Sequence, residues 1–454
     1  MKVAVLGGGV TGLTAAWKLA QAGHSVRVLD AGDRPGGVVR TDQSGGWLTE
    51  GGPISFQESS PEIAGVVAGL GLTGERVEAN PAAANRYVAR KGRLVAVPAP
   101  TSLAGFLTTP LLSFRSKLAV GSEASRSPVN RATDISVAEL VRDHFGSEIL
   151  ETFVQPLIGG IYAGDAERLS AKHAFPKIWE AERTVGSFVR AAADGSKRRS
   201  ESGLPTATPL ISFRGGLQAL TAALAGRLPK GALTPRAEVG EIAQGKASRW
   251  SVRWKQAEGP GSEEFDWVVA ALPAWSLAAL AVGPAGARPL SGLSAIEYPP
   301  VASISLGFRR EQVSHPLDGF GALVPAAEGR TMLGVVFASS LFPGRAPAGH
   351  VALTAFAGGA LRPEVARLGA AELASRVCED LRVLLGAEGR PVMSRHTLWP
   401  RAIPQYNLGH GAHVEAMARC EKANPGLLIG GNVRDGISLP DCIKSGLSLA
   451  SRVS

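Results

Sequence analysis

Gly7-Gly8-Gly9-Val10-Thr11-Gly12 stands directly between a short apolar run, residues 2–6, and a helical pattern. Glycines at 7, 9 and 12 fit the spacing G-x-G-x-x-G. The first glycine permits a tight turn, the second lets backbone approach a pyrophosphate, and the third lets helix and strand pack closely. A plain strand-to-helix turn also favours glycine, so the pattern alone is weak. Asp30, about 20 residues on at the end of the next apolar run, supplies a carboxylate suited to adenosine ribose hydroxyls. Asp33-Arg34-Pro35-Gly36-Gly37-Val38-Val39-Arg40 follows. An arginine beside two glycines can meet a diphosphate, or simply be a surface arginine in a turn. Cys378, Cys420 and Cys442 are scattered, and His173, His396 and His410 lack ligand spacing, so no metal is assigned. Cys442 reads as a buried residue at a helix start.

Those residues need a βαβ frame. The spacing predicts a strand over 2–6, a helix over 11–22 with Leu13, Ala16, Trp17 and Ala20 on one face, and a strand over 25–29. Residues 45–57 are glycine-rich and read as loop; 61–200 read as largely helical, broken at Pro98, Pro110, Pro128 and Pro156; 193–208, with its Lys197-Arg198-Arg199 run, reads as a mobile surface loop. Alternating patterns at 249–254, 301–306 and 351–356 predict a mixed sheet with one buried face. A helix is expected around 370–386. A strand then ends in the loop Gly430-Gly431-Asn432, followed by a helix from about Asp441. The longest apolar stretch, Trp267 to Ala285, contains Pro273 and Pro284; it reads as strand, turn and helix rather than a membrane span.

At 454 residues the chain exceeds one hydrophobic core, and 45% hydrophobic with 19% charged residues marks it as globular. The net charge of +9 is dispersed and no nucleic-acid-binding motif accompanies it. The first residues run straight into the glycine motif without a leader-like region. With so few cysteines, the expectation is a reducing, intracellular compartment, and hence a cytoplasmic protein.

Asp30, the Arg34-Pro35-Gly36-Gly37 turn, Gly51-Gly52-Pro53 and Gly430-Gly431-Asn432 form a set that resembles the FAD superfamily of monoamine oxidases, phytoene desaturases and protoporphyrinogen oxidases. Within it, residues 159–165 (GGIYAGD), 320–325 (FGALVP), 399–410 (WPRAIPQYNLGH) and 441–446 (DCIKSG) resemble the protoporphyrinogen oxidase family, in order and over nearly the whole chain. The resemblance implies an α/β protein. A Rossmann-like FAD-binding domain would be assembled from 1–60, 210–285 and 410–454. A mixed-sheet substrate domain would take 61–85 and 290–409, and a helical, membrane-facing domain 86–209.

It further implies FAD contacts from Gly7, Gly8, Gly9, Val10, Thr11 and Gly12, and from Asp30, Ala31, Arg34, Gly37 and Val38. The same contacts are implied for Gly51, Gly52, Pro53 and Ile54, for Val239 and Trp399, and for Asn432, Ile437, Ser438 and Leu439. Ile54 departs from the polar residue common there. Arg86 matches an arginine that meets a substrate propionate, and Leu323, Val336 and Phe356 match apolar positions that sandwich a tetrapyrrole. From the residues alone, Arg86 is equally a surface ion-pair partner and the other three equally plain core.

The implied reaction oxidises protoporphyrinogen IX in three two-electron steps, hydride passing to the flavin and pyrrolic protons leaving without a dedicated acid–base pair. Molecular oxygen is the implied acceptor, giving hydrogen peroxide. The alternatives are coproporphyrinogen III as substrate, an amine oxidase or carotenoid desaturase, and a partner-binding protein of the same superfold that has lost flavin use. Expected partners are the porphyrinogen, O2, a membrane surface (residues 106–117 mix apolar and basic side chains) and a second copy of the chain.

Overall fold

The computed structural model describes residues 1–98, 103–201, 208–245, 249–283 and 286–453. Five strands, Leu233–Thr234, Ser25–Leu29, Lys2–Leu6, Trp267–Ala270 and Leu427–Ile429, lie side by side in that order, all parallel. Such strands are covered on both faces, which is why residues 3–6 and 268–270 are continuously apolar and fully buried. The first helix, Val10–Gln21, and the last, Leu439–Ser451, pack against each other on this sheet. The apolar stretch from Trp267 forms a strand, then the helix Ala274–Ala279 capped by Pro273; its residues 284 and 285 lie outside the described residues. No helix among the described residues is long and apolar enough to cross a membrane.

A second sheet has seven strands in the order Met393–Trp399, Val301–Arg309, His350–Gly358, Met332–Val336, Gly319–Leu323, Asn85–Arg90, Arg93–Ala96. Neighbours are antiparallel except Gly319–Leu323 and Asn85–Arg90, which run parallel. Strand alternation sorts its side chains onto two faces. Ala302, Ile304, Leu306 and Phe308, with Leu353 and Ala355, pack beneath the helix Ala370–Leu385 through Leu373, Val377 and Leu381. The opposite face carries Ser303, Ser305, Thr354, Phe356, Val336, Leu323 and Arg86, as the register requires.

The structure differs from the sequence expectation in four places. Residues 45–57 are not all loop: Thr41–Ser44 and Trp47–Glu50 form a hairpin about Gly45-Gly46, whose φ of +58° and +80° make the two-residue turn that matches strand twist. Residues 85–96 are a second hairpin and belong to the seven-stranded sheet, so the helical layer begins beyond the expected boundary at 86. The helix Pro61–Gly69, assigned to the substrate domain, instead buries Ile63, Val66 and Val67 against Leu13, Trp17 and Ile443 of the nucleotide-binding helices. Lastly, the expected loop at 193–208 is helical through Glu201, within Phe188–Glu201; residues 202–207 lie outside the described residues.

The helical layer is held by a buried charge cluster. His144 receives carboxylates on both ring nitrogens, Glu123 at 2.9 Å and Glu182 at 3.0 Å, and its ring stacks on Phe188. Arg131 grips Glu182, while Glu123 accepts from Ser187 and the N–H groups of Phe188 and Val189, capping that helix. Burial raises both carboxyl pKa values, but the hydrogen bonds outweigh it, and both are held below the usual range. Depressed carboxyl pKa values stabilise the fold above the unfolded value of about 4.3, and that stability is lost as pH falls through the folded values. Denaturant unfolding monitored between pH 7 and 3 should show this loss. At pH 7, Arg131→Met, which leaves Glu182 with His144 as its remaining side-chain partner, should cost about 3 kcal/mol.

Candidate functional site

The glycine turn after Leu6 shows why each position has no side chain. Gly7 has φ of +99°, and a Cβ there would lie 2.4 Å from the Ala271 carbonyl oxygen. A Cβ on Gly12 would lie 1.9 Å from the Gly7 carbonyl oxygen, so helix and turn touch only without it. Gly9 is different: nothing lies within 4 Å of where its Cβ would be, and it caps the first helix with no side-chain hydrogen bond. The open space and the N-terminal peptide groups are a place for a pyrophosphate. Val10 and Thr11 are buried in the first turn.

The expected ligand residues ring this turn, several with their side chains turned to it. Asp30 accepts the N–H of Gly8 and, at 2.7 Å, that of Gly32. It therefore shapes the turn itself, and a carboxylate's remaining lone pairs stay available to a ribose. Ala31 is exposed beside it. Arg34 folds back onto its own loop, donating to the carbonyls of Pro35, Gly37 and Val39 rather than reaching outward to a diphosphate. This loop lies over the turn: the N–H of Gly36 donates to the Gly8 carbonyl at 2.8 Å, and Gly37 sits over Gly9, with Val38 exposed. The N–H groups of Arg236 and Ala237 donate to the carbonyls of Gly32 and Asp30, which brings the strand bearing Val239 to the adenosine side.

The other wall is built by non-local contacts. Trp399, the last residue of its strand, donates its indole N–H to the Gly51 carbonyl at 2.6 Å and so fastens the seven-stranded sheet to the loop Gly51–Ile54. A Cβ on Gly52 would strike the Val38 carbonyl at 2.1 Å, so this loop and the Arg34 loop touch; Pro53 is partly buried beside it. Glu50, just before, is 4% exposed and accepts from the Thr41 hydroxyl and the Leu217 N–H; Arg345 lies 4.0 Å away. Burial pushes Glu50 up and Arg345 down.

From the chain's far end come Asn432, Ile437, Ser438 and Leu439. Ser438 caps the last helix through the Asp441 N–H, Ile437 and Leu439 pack inward, and the loop before them is clamped by one hydroxyl. Tyr406 donates to the Asn432 carbonyl at 2.6 Å and accepts from the Gly436 N–H at 3.0 Å. Burial raises this phenol well above its usual range, so it remains a donor. Its ring stacks at 4.1 Å on His410, which burial and two neighbouring histidines push down to about 3, hence neutral. Tyr406 and Glu50 were missed as site residues in the sequence: Tyr406 lies within a matched string, but only the fold shows what its hydroxyl holds. Cys442 lies inside the last helix, its thiol pushed by burial up to about 12.

The four expected substrate residues share the open face of the sheet. Arg86 pairs in register with Gly321, Gly321 with Val336, and Leu323 and Phe356 both with Gly334. Leu323, Val336 and Phe356 are only partly buried, unlike the residues of the opposite face. Arg86 is exposed, 6.0 Å from the Phe320 ring centroid, and makes no ion pair among the described residues. Ile54, Phe320 and Val336 all pack against the cluster of Ala83, Leu341 and Phe342, so the cradle loop and this slot adjoin through shared neighbours. Its apolar side chain thus lines the junction where a polar one was the family expectation.

A nucleotide cradle closed by both ends of the chain, beside an apolar slot with one free cation at its rim, defines an FAD-dependent oxidoreductase. The cradle residues fit FAD: Gly9 leaves room for a diphosphate, Asp30 and the strand Glu238–Gln244 would flank the adenosine side, and Gly51–Ile54 with Asn432–Leu439 would frame the flavin side. A family model described as flavin containing amine oxidoreductase matches residues 10–454. Protoporphyrinogen oxidase 2, chloroplastic/mitochondrial, of Arabidopsis thaliana is 32% identical over all of this chain and 93% of its own length. Coproporphyrinogen III oxidase of Bacillus subtilis is 28% identical, over 99% of this chain and 97% of the relative. A solved protein of Exiguobacterium sp. 255-15 shares the fold with a TM-score of 0.83 at 24% identity, covering 100% of this chain and 98% of that one. The chain belongs to the flavin containing amine oxidoreductase family, and within it to the protoporphyrinogen and coproporphyrinogen oxidases.

The contrast between two glycines tests the cradle. Gly12→Ala should destabilise the fold by 1 kcal/mol or more, as overpacking does (about 1–3 kcal/mol). Gly9→Ala, whose Cβ would have no protein atom within 4 Å, should leave the melting temperature of the flavin-free protein nearly unchanged yet weaken FAD binding at least tenfold, read from flavin fluorescence.

Proposed function

We propose that the chain oxidises a porphyrinogen to its porphyrin as a step of haem biosynthesis, with protoporphyrinogen IX as substrate and O2 as acceptor. Bound FAD would supply the two-electron chemistry: over three rounds the substrate would lose three hydrides and three protons, net four hydrogens from the meso carbons and two from the pyrrole nitrogens, and three O2 would become three H2O2. The observation that carries this reading is Arg86 at the rim of a half-open apolar face that adjoins the Gly51–Ile54 loop. The 32% identity to a protoporphyrinogen oxidase over the full chain supports it.

The chain's own work is positional. Leu323, Val336 and Phe356 offer an apolar surface to a flat macrocycle and exclude water from one face. Arg86 presents a fork of N–H donors that suits a propionate bidentately. Orientation of this kind is the main contribution a protein can make when the cofactor carries the chemistry. Coproporphyrinogen III is the second reading, supported by the 28% identity to oxidases that bear its name. The test is aerobic turnover of both porphyrinogens by FAD-loaded protein, with porphyrin fluorescence and peroxide measured together; a ratio of three peroxides per porphyrin is expected. Absence of porphyrin above the autoxidation blank overturns the reading. Arg86→Met should raise KM about tenfold to a hundredfold with little change in kcat, because the lost interaction holds substrate and transition state alike.

Membrane attachment belongs to the same proposal, at the inner face of the cytoplasmic membrane. Leu107, Phe114 and Leu118 are 57%, 75% and 58% exposed within 12 residues of one another, beside Arg115. Lys117 instead holds the carbonyls of Leu107 and Thr109, ending the helix before it. Anionic liposomes at low salt should float the protein, and Phe114→Glu with Leu118→Glu should abolish flotation without altering the far-UV spectrum.

A further inference from the structure

The slot does not end at Leu323 and Phe356. Past them, a groove runs between residues 155–164 and the strand tips. Val324 and Leu333 continue the slot's own strands, and Gly358 follows Phe356 by two residues. The facing wall is Gly159, Ala163 and Gly164. The adjoining Gly160 is tight against the slot, since a Cβ there would lie 3.3 Å from a Leu323 methyl. Arg86 stands in register with Gly321, three residues before Val324, or about 10 Å away at 3.3 Å per residue. Slot and groove are thus successive stretches of one surface, with Arg86 near the other end.

Only two charged residues line the groove among the described residues, Arg330 and Arg362. Arg330 forms no ion pair among them, and its Nε is buried without a hydrogen-bond partner. Arg362 donates to the Arg330 carbonyl and lies 3.9 Å from Glu364, itself exposed. One buried carboxylate, Asp380, stands behind the hairpin, but it is taken by the N–H groups of Thr331 and Met332 at 2.7 and 3.1 Å. Glu364 and Asp380 offset much of the charge of Arg362, which leaves Arg330 as the groove's guanidinium without an ion pair among the described residues. The groove's cavity is about 50 Å³, several times the ~10–15 Å³ that one water requires, so a carboxylate head has room in it.

We propose that Arg330 and Arg362 form a second carboxylate subsite, reading the rim of the macrocycle opposite the one that meets Arg86, and so set the preference between dicarboxylate and tetracarboxylate porphyrinogens. The proposal rests on the porphyrinogen reading above. A porphyrinogen with both propionates on one rim fills only the Arg86 end. One with propionates on all four rings engages both ends at once.

The test compares coproporphyrinogen III with protoporphyrinogen IX as substrates of the FAD-loaded enzyme and its Arg330→Gln, Arg362→Gln and doubly substituted variants. The double variant should raise KM for the tetracarboxylate about tenfold or more, the loss expected for one charged hydrogen-bonded contact. KM for the dicarboxylate should stay within twofold, and Arg330→Lys should recover part of the loss. Because the variants could fold poorly, unsubstituted enzyme supplies a second measurement: inhibition by coproporphyrin III against protoporphyrin IX, both of which can engage Arg86, with the tetracarboxylate at least tenfold tighter and the difference weakened by salt. Equal effects of the substitutions on both substrates, or equal inhibition by the two porphyrins, overturn the subsite. Failure of the unsubstituted enzyme to oxidise either porphyrinogen overturns the functional reading and the subsite with it; turnover of both with an unmoved ratio overturns the subsite alone.

Discussion

The cofactor half depends on a close contact between the first and last helices, and it exists because Gly446 has no side chain. A Cβ on Gly446 would lie 2.5 Å from the Thr11 carbonyl oxygen and 2.7 Å from the Thr14 Cβ, while Gly12 presses on the turn below. This approach sets where the last helix begins, and hence where Ser438 and the loop from Gly430 stand relative to the Gly7–Gly9 turn. Gly431 is tied into the same corner by the Ser445 hydroxyl at 2.9 Å, which in turn bonds to Asp435. Any side chain at this contact would push the last helix outward and open the cradle on its flavin side.

The second sheet is attached to this cradle by few bonds, each costly to lose. Trp399 holds Gly51; Glu50 and Arg345 lie within the same buried corner; Tyr406 spans Asn432 and Gly436. Trp399 and Tyr406 act on loops, whereas Glu50 and Arg345 tie strand ends together. Loops carry function when a rigid scaffold positions them, and here the scaffold is a sheet whose other face is sealed by the helix Ala370–Leu385. The dry face supplies rigidity, and the opposite face is left free to be a surface.

What the sequence made legible was what chemistry writes locally. Gly7, Gly9 and Gly12 and the carboxylate at Asp30 are read by spacing, because turn, strand and helix follow one another within thirty residues. The alternation in 301–306 and 351–356 likewise shows strands directly. The hairpin at 41–50 was hidden because its glycines resemble those of any loop, and the strands at 85–96 because their short alternation is broken at Lys91-Gly92. Arg34 shows a different limit: its type and position suit a phosphate, yet its donors are satisfied by carbonyls three to five residues away, or closer. The roles of Tyr406, Glu50 and Arg345 depend on contacts across tens to hundreds of residues, for which residue order holds no signal.

The position of the strand Leu427–Ile429 has a consequence for how the protein comes to exist. It completes the parallel sheet beside Trp267–Ala270, yet it is separated from Lys2–Leu6 by more than four hundred residues of chain. During translation the glycine turn emerges first and waits, its cradle lacking a wall, until this strand and the helix after it have left the ribosome. Cofactor capture therefore waits on elements made more than four hundred residues after the glycine turn: a product that stops short of residue 427 lacks the wall that would hold the flavin.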